Sequence, residues 1–368
     1  MPYPMLDRFK LIMEPLARRP MNKLRIETDH VPLTAEPKNI SGAARETIHE
    51  AAERIRAARG AGKPVILATG AHTIKNGLST VIIPLMEAKW VTHVATNGAG
   101  IIHDWEFAFQ GKSGEDVAAN TARGLFGNWQ ETGFYINLAL NVGAYEGKGY
   151  GESVGAMIQS EGLTIPSKDE LLAAVRAAEQ DPDRAAAAAD LLWAVKSFDL
   201  KAGRLSIPHP WKQYSVQAAA VRLGVPSTGH PMIGHDIIYN HPMNRCASLG
   251  RCAERDFLVF AHNVSQLDGG VYLSVGSAVM SPMIFEKSLS MSQNLAIQRG
   301  EHIDRHYILV VDLAASRWDW RKGEPPVDNP DYYLRYCKTF SRMNGTMRYV
   351  TADNRDFLLE LARQLRVS

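Results

Sequence analysis

The sequence predicts an α/β protein with a doubly wound, mainly parallel sheet. Three observations predict this class: short apolar runs bounded by glycine or proline, small polar turns after those runs, and helical patterns after the turns. This order repeats along the chain, as it does in parallel sheets with right-handed crossovers. The chain has 368 residues, of which 45% are hydrophobic and 22% charged, so it is long enough to bury a large core.

The elements follow one another in this order from the start of the chain. Residues 1–40 are rich in proline and charge, and we expect an N-terminal arm there. Ser41 caps a helix that ends at Gly60, because Ala44, Ile48, Ala51 and Ile55 share one face. The run Val65–Thr69 predicts a buried strand, and Val91–Thr96 predicts a second strand after a helix that starts at Leu78.

The rest of the chain divides into a helical insertion and further sheet. Residues 111–204 predict the insertion, with a glycine-rich loop at 143–155 and a capping box at Ser167. We therefore expect one Rossmann-like α/β domain over 41–368 with a sheet of about six strands. The later strands are predicted at Phe257–Ala261, Val271–Gly276, Tyr307–Leu313 and Met347–Thr351.

Composition excludes several classes of function. Lys and Arg number 41 and Asp and Glu 39, so the net charge of +2 gives no general electrostatic case for nucleic acid or anionic membrane. No apolar run approaches the roughly 20 residues that span a bilayer. The N-terminal residues lack the features of a signal peptide. The 3 cysteines fit neither a disulfide framework nor a zinc knuckle, and we expect a cytoplasmic location.

Two glycine turns are the first candidate site. Thr69–His72 and Thr96–Gly100 each follow a predicted strand and precede a helix. Small residues there let the backbone approach a phosphate or a ribose, and a helix N-terminus supplies N–H donors. A tight strand-to-helix turn is the alternative interpretation. The strict G-x-G-x-x-G pattern is absent, because His103 occupies the position of the third glycine.

Three further features carry chemistry-bearing side chains. His103 and Asp104 follow the second turn, where histidine suits proton transfer and aspartate suits a cationic substrate. A plain helix start would explain them as well. Asp353 ends a strand, so it either caps the next helix or binds a ribose hydroxyl. Lys338 is a candidate nucleophile, which requires a buried amine with a lowered pKa.

The densest polar segment contains three histidines and one aspartate. His230, His235, Asp236 and His241 lie within 12 positions and allow a metal-dependent hydrolase or lyase. Their spacing matches no helical pair of ligands. We therefore favour a polar loop in which Asp236 reaches the ligand, with no metal.

The sequence resembles the deoxyhypusine synthase family. The resemblance is clearest over residues 65–110, where Thr96–Ile101 follows the second strand in that family's order. Weaker similarity covers Gly234–His241, Gly270–Ser277, Asp312–Ala314 and Val350–Asp353. The family's paired acidic residues, paired histidines and Trp-Gly-Lys segment are not found in this chain.

This resemblance implies a divergent transferase that uses NAD in a Rossmann-like fold, usually as a homotetramer. It implies hydride transfer from an amine-bearing substrate such as a polyamine or amino acid, then group transfer or imine release. His103, Asp104, Asp236 and Lys338 are the expected catalytic residues. A nucleotide-binding module without catalysis is a further alternative. The implied cofactor contacts are Gly70, Ala71, His72, Thr96, Asn97, Gly98, Asp236, Gly276, Ser277, Asp312 and Asp353.

Overall fold

The computed structural model of the protein describes residues 3–367, which form two compact units. The first unit contains the chain up to Glu27, Ile101–Ala218 and Pro231–Arg255. The second contains Thr28–Gly100, Ala219–His230 and the chain from Asp256 onward. The division into an arm and one domain at residue 40 stays a prediction.

The second unit is built on a parallel sheet of six strands. In chain order these are β1 (Val65–Thr69), β2 (His93–Asn97), β3 (Ser227–His230), β4 (Val271–Val275), β5 (Tyr307–Asp312) and β6 (Thr346–Thr351). They lie side by side in the order β3-β2-β1-β4-β5-β6, and every neighbouring pair is parallel. The predicted doubly wound, Rossmann-like α/β fold is therefore confirmed.

Helices cover both faces of this sheet, which explains why its central strands are apolar throughout. Every residue of β1 and β4 is buried. On one face the Tyr272 ring contacts the rings of Phe260, Phe285 and Phe340. The helix after β6 packs on the helix that precedes β1. The helices within this unit are Gly42–Gly60, Ala71–Lys75, Ser79–Glu87, Met280–Ile297, Arg335–Ser341 and Asn354–Gln364.

One strand prediction is wrong and one strand was missed. Phe257–Ala261 lies inside the helix Cys246–Ser265, because Phe260 and Val264 recur at the helical period and are both fully buried. In place of that segment, the sheet contains β3 (Ser227–His230). This segment escapes pattern analysis because it is short, polar and contains a glycine.

The first unit is mainly helical, as expected for 111–204, but its glycine-rich segment is not a loop. Gly143 lies within a helix where an added Cβ would come 1.9 Å from the Ser153 Oγ, so glycine permits close helix packing. Gly147 ends that helix with a φ of 82°. The helices are Val117–Ala122, Gln130–Glu146, Tyr150–Ser160, Lys168–Arg176 and Pro182–Ser197.

Several helices and short elements complete the described chain. Ser41 and Ser167 cap their helices as predicted, and Ser167 forms the capping box with Glu170. Between residues 3 and 367, no helix is long and apolar enough to cross a membrane. The other helices are Ile26–Asp29, Gly98–Gln110, Val216–Leu223 and Cys246–Ser265, and two antiparallel pairs join Leu24–Arg25 to Lys112–Ser113 and Gly162–Ile165 to Gly203–Ser206. Short 3-10 turns occur at Arg8–Lys10, Leu16–Arg18, Lys212–Tyr214, Ile237–Tyr239, Trp320–Lys322 and Pro330–Tyr333.

Candidate functional site

The carboxyl edge of the six-stranded sheet gathers most of the predicted cofactor residues. Because the strands are parallel, their carboxyl ends lie along one edge, and the register pairs Thr69 with both Thr96 and Val275. The strand order reverses between β1 and β4. In open α/β sheets this switch point forms a crevice for ligands. Gly70 and Gly276 are the first residues beyond β1 and β4, so they flank it.

The two glycines are in direct backbone contact. A Cβ added to Gly70 would lie 2.2 Å from the Gly276 carbonyl oxygen, which is too close for any side chain. Gly276 has a φ of 59°, and its added Cβ would meet the Asn354 amide at 2.5 Å. Both positions therefore require glycine, which brings the two turns together at the switch point.

The junction after β1 leaves donors at the start of its helix. The helix Ala71–Lys75 begins directly after Gly70, without a side-chain cap and without an acidic residue in its first turn. Thr73 is buried and its hydroxyl accepts a hydrogen bond from the Asn354 amide at 3.3 Å. His72 is exposed. An uncapped helix start with no acidic residue in its first turn suits an anionic group.

The junction after β2 is tighter than predicted. The helix Gly98–Gln110 starts at the strand end without a loop, and its first turn holds no acidic residue. Asn97 Oδ1 accepts a hydrogen bond from the Gly100 amide at 2.9 Å, and Thr96 Oγ1 donates to the Thr69 carbonyl at 3.1 Å. Gly100 is packed against Thr96, where an added Cβ would lie 2.1 Å from the hydroxyl oxygen. Both interpretations of this turn, strand–helix packing and ligand approach, are compatible with this geometry.

Polar side chains also lie at or just beyond the carboxyl ends of β4, β5 and β6. Ser277 Oγ accepts a hydrogen bond from the Ser281 amide at 3.2 Å. Asp312 Oδ1 accepts one from the Ala314 amide at 3.1 Å. Asp353 caps the last helix through the Arg355 amide at 2.8 Å, so its predicted capping role is confirmed. Ribose binding by the two aspartates stays a prediction.

A buried histidine pair lies beside β3, the last strand on one side of the sheet: His93 begins β2 and His230 ends β3. The Nε2 atoms of His93 and His230 each lie 2.9 Å from the Thr228 hydroxyl. Burial lowers the pKa of His230 to about 3, and burial together with the nearby His230 lowers the pKa of His93 to about 3. Both imidazoles are therefore neutral near pH 7 and belong to the packing of this unit.

Three of the four predicted catalytic residues belong to the first unit, namely His103, Asp104 and Asp236. Asp104 is 2% exposed, and its carboxylate accepts hydrogen bonds from the Ser215 hydroxyl at 2.6 Å and the Val216 amide at 2.9 Å. Burial raises the pKa of Asp104. These contacts anchor the helix that starts at Val216.

Asp236 is a partly buried carboxylate with one oxygen atom that lacks a hydrogen-bond donor. Burial raises its pKa to about 6, and within residues 3–367 its Oδ2 atom has no hydrogen-bond partner. The nearby Tyr239 hydroxyl also lacks one, and burial raises the pKa of Tyr239. A buried carboxylate oxygen without a donor favours a cationic or hydrogen-bond-donating partner.

The metal alternative finds no support in the geometry. Among residues 3–367, no group of three or more His, Cys, Asp or Glu side chains is arranged to hold a metal ion. His230 ends β3 in the second unit, whereas His235, Asp236 and His241 belong to the first. His241 Nε2 instead lies 3.2 Å from Gln130 Oε1.

Lys338 is held as a cation. Its ammonium lies 3.0 Å from a Glu324 carboxylate oxygen and 3.3 Å from the centre of the Tyr332 ring. Hydrogen bonding to Tyr332 and the Glu324 carboxylate raise the pKa of Lys338. A lysine nucleophile needs the opposite shift, so these contacts favour a structural ion pair.

Comparison with known proteins finds remote similarity to solved structures. A conserved "LOR/SDH" protein from Methanococcus maripaludis S2 is 12% identical at a TM-score of 0.44, over 91% of this chain and 73% of that one. ArgZ, a cyanobacterial arginine dihydrolase, is 14% identical at a TM-score of 0.43, over 88% of this chain and 33% of its own. A complex of AgrE with ornithine and NAD+ is 14% identical at a TM-score of 0.42, over 89% of this chain and 34% of its own.

No family model and no curated protein matches the chain. The chain spans about a third of the length of ArgZ and AgrE. Identities this low and TM-scores below 0.5 carry no argument about function, and the fold rests on the strand order itself.

The assignment to the deoxyhypusine synthase family is wrong. No family model and no curated member of that family matches the chain, and the solved structures named above are a LOR/SDH protein, ArgZ and AgrE. The segments that suggested the family, such as Thr96–Ile101 and Gly270–Ser277, are strand ends followed by small residues. Parallel α/β sheets of many families require small residues there. The homotetramer rested on this resemblance and loses its basis.

Sequence analysis missed several residues of these sites. The Asn354 side chain packs against Gly276 and donates a hydrogen bond to the Thr73 hydroxyl. In the sequence this residue is only the first residue of a helix. Glu106 and Ser113 hydrogen-bond to each other beside His103. The spacing of His103 and Glu106 at i and i+3 on one helix was the available signal for this pair.

Proposed function

We propose that the protein is an NAD-dependent enzyme that transfers a hydride from an amine-bearing, amino-acid-like substrate. One observation carries the cofactor part of the proposal: the strand order β3-β2-β1-β4-β5-β6, with Gly70 against Gly276 at the point where it reverses. This order is the one that binds dinucleotides across such a crevice.

The residues around the crevice fit such a cofactor. The uncapped helix start at Ala71 and His72 offers backbone donors to a pyrophosphate, without a repelling acid in its first turn. Thr96, Asn97 and Gly98 would hold the cofactor where β2 ends and its helix begins. Side chains at or just beyond the ends of β4, β5 and β6 would supply acceptors for ribose hydroxyls, namely those of Ser277, Asp312 and Asp353.

Asp236 supports the amine part of the proposal. A substrate ammonium would give its unpartnered Oδ2 atom the donor that the described residues do not supply. The substrate carbon loses a hydride and the ammonium nitrogen bonded to it loses a proton. The cationic ammonium then becomes a cationic iminium with a carbon–nitrogen double bond, so charge and atoms balance. NAD+, when bound, is the acceptor of that hydride. His103 is the proposed acceptor of the proton.

Lys338 has no part in this proposal, because a charged lysine in an ion pair is a poor nucleophile. The proposed reaction therefore ends with release of the imine or of its hydrolysis product. Transfer of a group to a protein lysine is not included.

Isothermal titration of the purified chain with NAD+ and NADP+ tests the cofactor. NADH absorbance then tests turnover with ornithine, arginine, other amino acids and polyamines. Binding of NAD+ with amine-dependent reduction supports the proposal. NAD+ binding without reduction by any of these compounds would indicate a nucleotide-binding module, and no binding of either dinucleotide would overturn the proposal.

A further inference from the structure

Two neighbouring helices of the second unit expose a large apolar surface. They are the helix Met280–Ile297 and the second-unit part of the helix Cys246–Ser265. The Ser292 hydroxyl donates a hydrogen bond to the Ala261 carbonyl at 3.2 Å, so the two helices lie side by side. Seven large apolar side chains on these helices or directly before them are between 41% and 60% exposed, and we call this set the apolar helix face: Leu258, Val259, Val279, Met283, Met291, Leu295 and Ile297.

Helical spacing explains why most of this set forms one ridge. Side chains four residues apart stack along one side of a helix, and a ridge of five such positions is about 24 Å long. The five positions are all exposed, and four of them are apolar: Val279, Met283, Lys287, Met291 and Leu295. The opposite side of the same helix is buried in the core of the unit. The core therefore does not use the ridge.

Charge is nearly absent from this surface. From Val279 to Gln298 the chain has only two charged residues, Glu286 and Lys287, which form an ion pair with each other. The solvent face of an amphipathic helix usually carries charged side chains. Helices that lie on an anionic membrane carry several Lys or Arg residues beside their apolar face. One compensated cation therefore favours a protein partner over a lipid surface.

The size of the apolar helix face fits an interface between two copies of the chain. The exposed parts of its seven side chains amount to about 600 Å², at the upper end of the apolar patches found on monomers. A standard interface takes about 800 Å² from each partner and is about 65% apolar in homodimers, which requires about 500 Å² of apolar surface. Because each Lys287 is paired with a carboxylate of its own copy, two copies can approach without uncompensated like charges.

We propose that the apolar helix face is the interface of a two-fold symmetric homodimer, in which the helix Met280–Ile297 of one copy packs against the same helix of the other. A two-fold dimer buries the same patch on both subunits. Two identical ridges of this spacing can pack into each other's grooves, as in the commonest class of helix packing. The proposal depends on neither the cofactor nor the substrate, so its failure and the failure of the proposed function are separate results.

Sedimentation equilibrium of the full-length chain measures its stoichiometry. We expect a dimer with a dissociation constant below about 10 µM, because interfaces of standard size give micromolar or tighter binding. A chain that remains monomeric at about 100 µM would overturn the proposal.

A variant with both Met291→Glu and Leu295→Glu tests where the interface lies. Both side chains are about half exposed, so the core of the unit stays intact, and urea denaturation verifies this. We expect the dissociation constant to rise by about 100-fold or more, because each copy would bury two carboxylates without partners. An unchanged dissociation constant would overturn the proposal.

The matched control carries Val327→Glu and Tyr333→Glu, which add the same charge at exposed apolar positions of the same unit outside the apolar helix face. We expect its dissociation constant to equal that of the natural chain. Equal weakening in both variants would show a general effect of charge and would also overturn the placement of the interface.

Co-sedimentation with vesicles of phosphatidylcholine and phosphatidylserine tests a lipid surface as the occupant. We expect no binding of the natural chain. Vesicle binding that is lost in the Met291→Glu, Leu295→Glu variant and kept in the control would assign the apolar helix face to a membrane and overturn the dimer.

Discussion

Replacing Gly70 with alanine adds one methyl group at the point where the strand order reverses. The change introduces no charge and removes no side chain, so its effect depends on space alone. The added Cβ would lie 2.2 Å from the Gly276 carbonyl oxygen, and ordinary contacts begin at 3.4 Å. The turns after β1 and β4 must therefore move apart by about 3.4 − 2.2 = 1.2 Å.

A displacement of this size has two expected consequences. Overpacking of a buried position costs about 1–3 kcal/mol, so the free energy of unfolding falls by that amount. The hydrogen bond from the Gly70 amide to the Val275 carbonyl, already 3.3 Å long, would weaken further. Because the proposed cofactor contacts sit on these two turns, we expect the affinity for NAD+ to fall by more than about tenfold.

Two measurements on the Gly70→Ala variant separate these effects. Urea denaturation gives the change in stability, and isothermal titration well below the denaturation midpoint gives the change in affinity. Gly60→Ala is the matched control in the same unit, since a Cβ at Gly60 meets nothing within 4 Å. We expect that control to be neutral or slightly stabilising, with unchanged affinity. A folded Gly70→Ala variant that binds NAD+ as the natural chain does would refute the placement of the cofactor.

Three other perturbations follow from buried charges. Arg19→Met leaves the Glu106 carboxylate buried without its cation. It should lower the free energy of unfolding by about 3–5 kcal/mol, measured by urea denaturation. A change below about 1 kcal/mol would show that the ion pair is dispensable for stability. Asp236→Asn should stabilise the free protein at pH 7 by up to about 3 kcal/mol, because the folded-state pKa of Asp236 is raised from 3.8 to about 6 and its charged form is disfavoured above that pH. The gain should vanish below pH 4, and a gain that is independent of pH would contradict this cause. Burial lowers the pKa of His93 and His230 to about 3. The free energy of unfolding should therefore fall as pH drops below 6.5, by about 2 kcal/mol for each histidine at pH 5. A His93→Gln variant with the same pH dependence would exclude that histidine as a source.

The sheet was largely predictable because its strands are apolar and bounded by turn residues. Val65–Thr69 and Val271–Val275 are buried throughout, and such runs with flanking glycine are typical of central parallel strands. Ser227–His230 lies at the end of the sheet and is polar, so no pattern distinguished it. Strand order could not be predicted, since it depends on how crossovers pack rather than on any single segment.

The candidate sites were predictable only in part. Glycine at position 70 marks a tight turn in sequence, but its contact with Gly276, about two hundred residues away, is visible only in the fold. The aspartate at 104 has the right residue type for a substrate ligand, yet four hydrogen bonds from residues 215–217 occupy it. The family resemblance was wrong because it depended on glycines at strand ends. Such glycines indicate the geometry of a parallel sheet and not a particular chemistry.

Hydrogen–deuterium exchange with and without saturating NAD+ tests the central claim most directly. The proposed crevice predicts slower amide exchange at residues 69–73, 96–100 and 275–279, with little change in the helix Lys168–Arg176 of the first unit. Saturating NAD+ that slows no amide in the three strand-end segments, or protects only distant ones, would contradict the account.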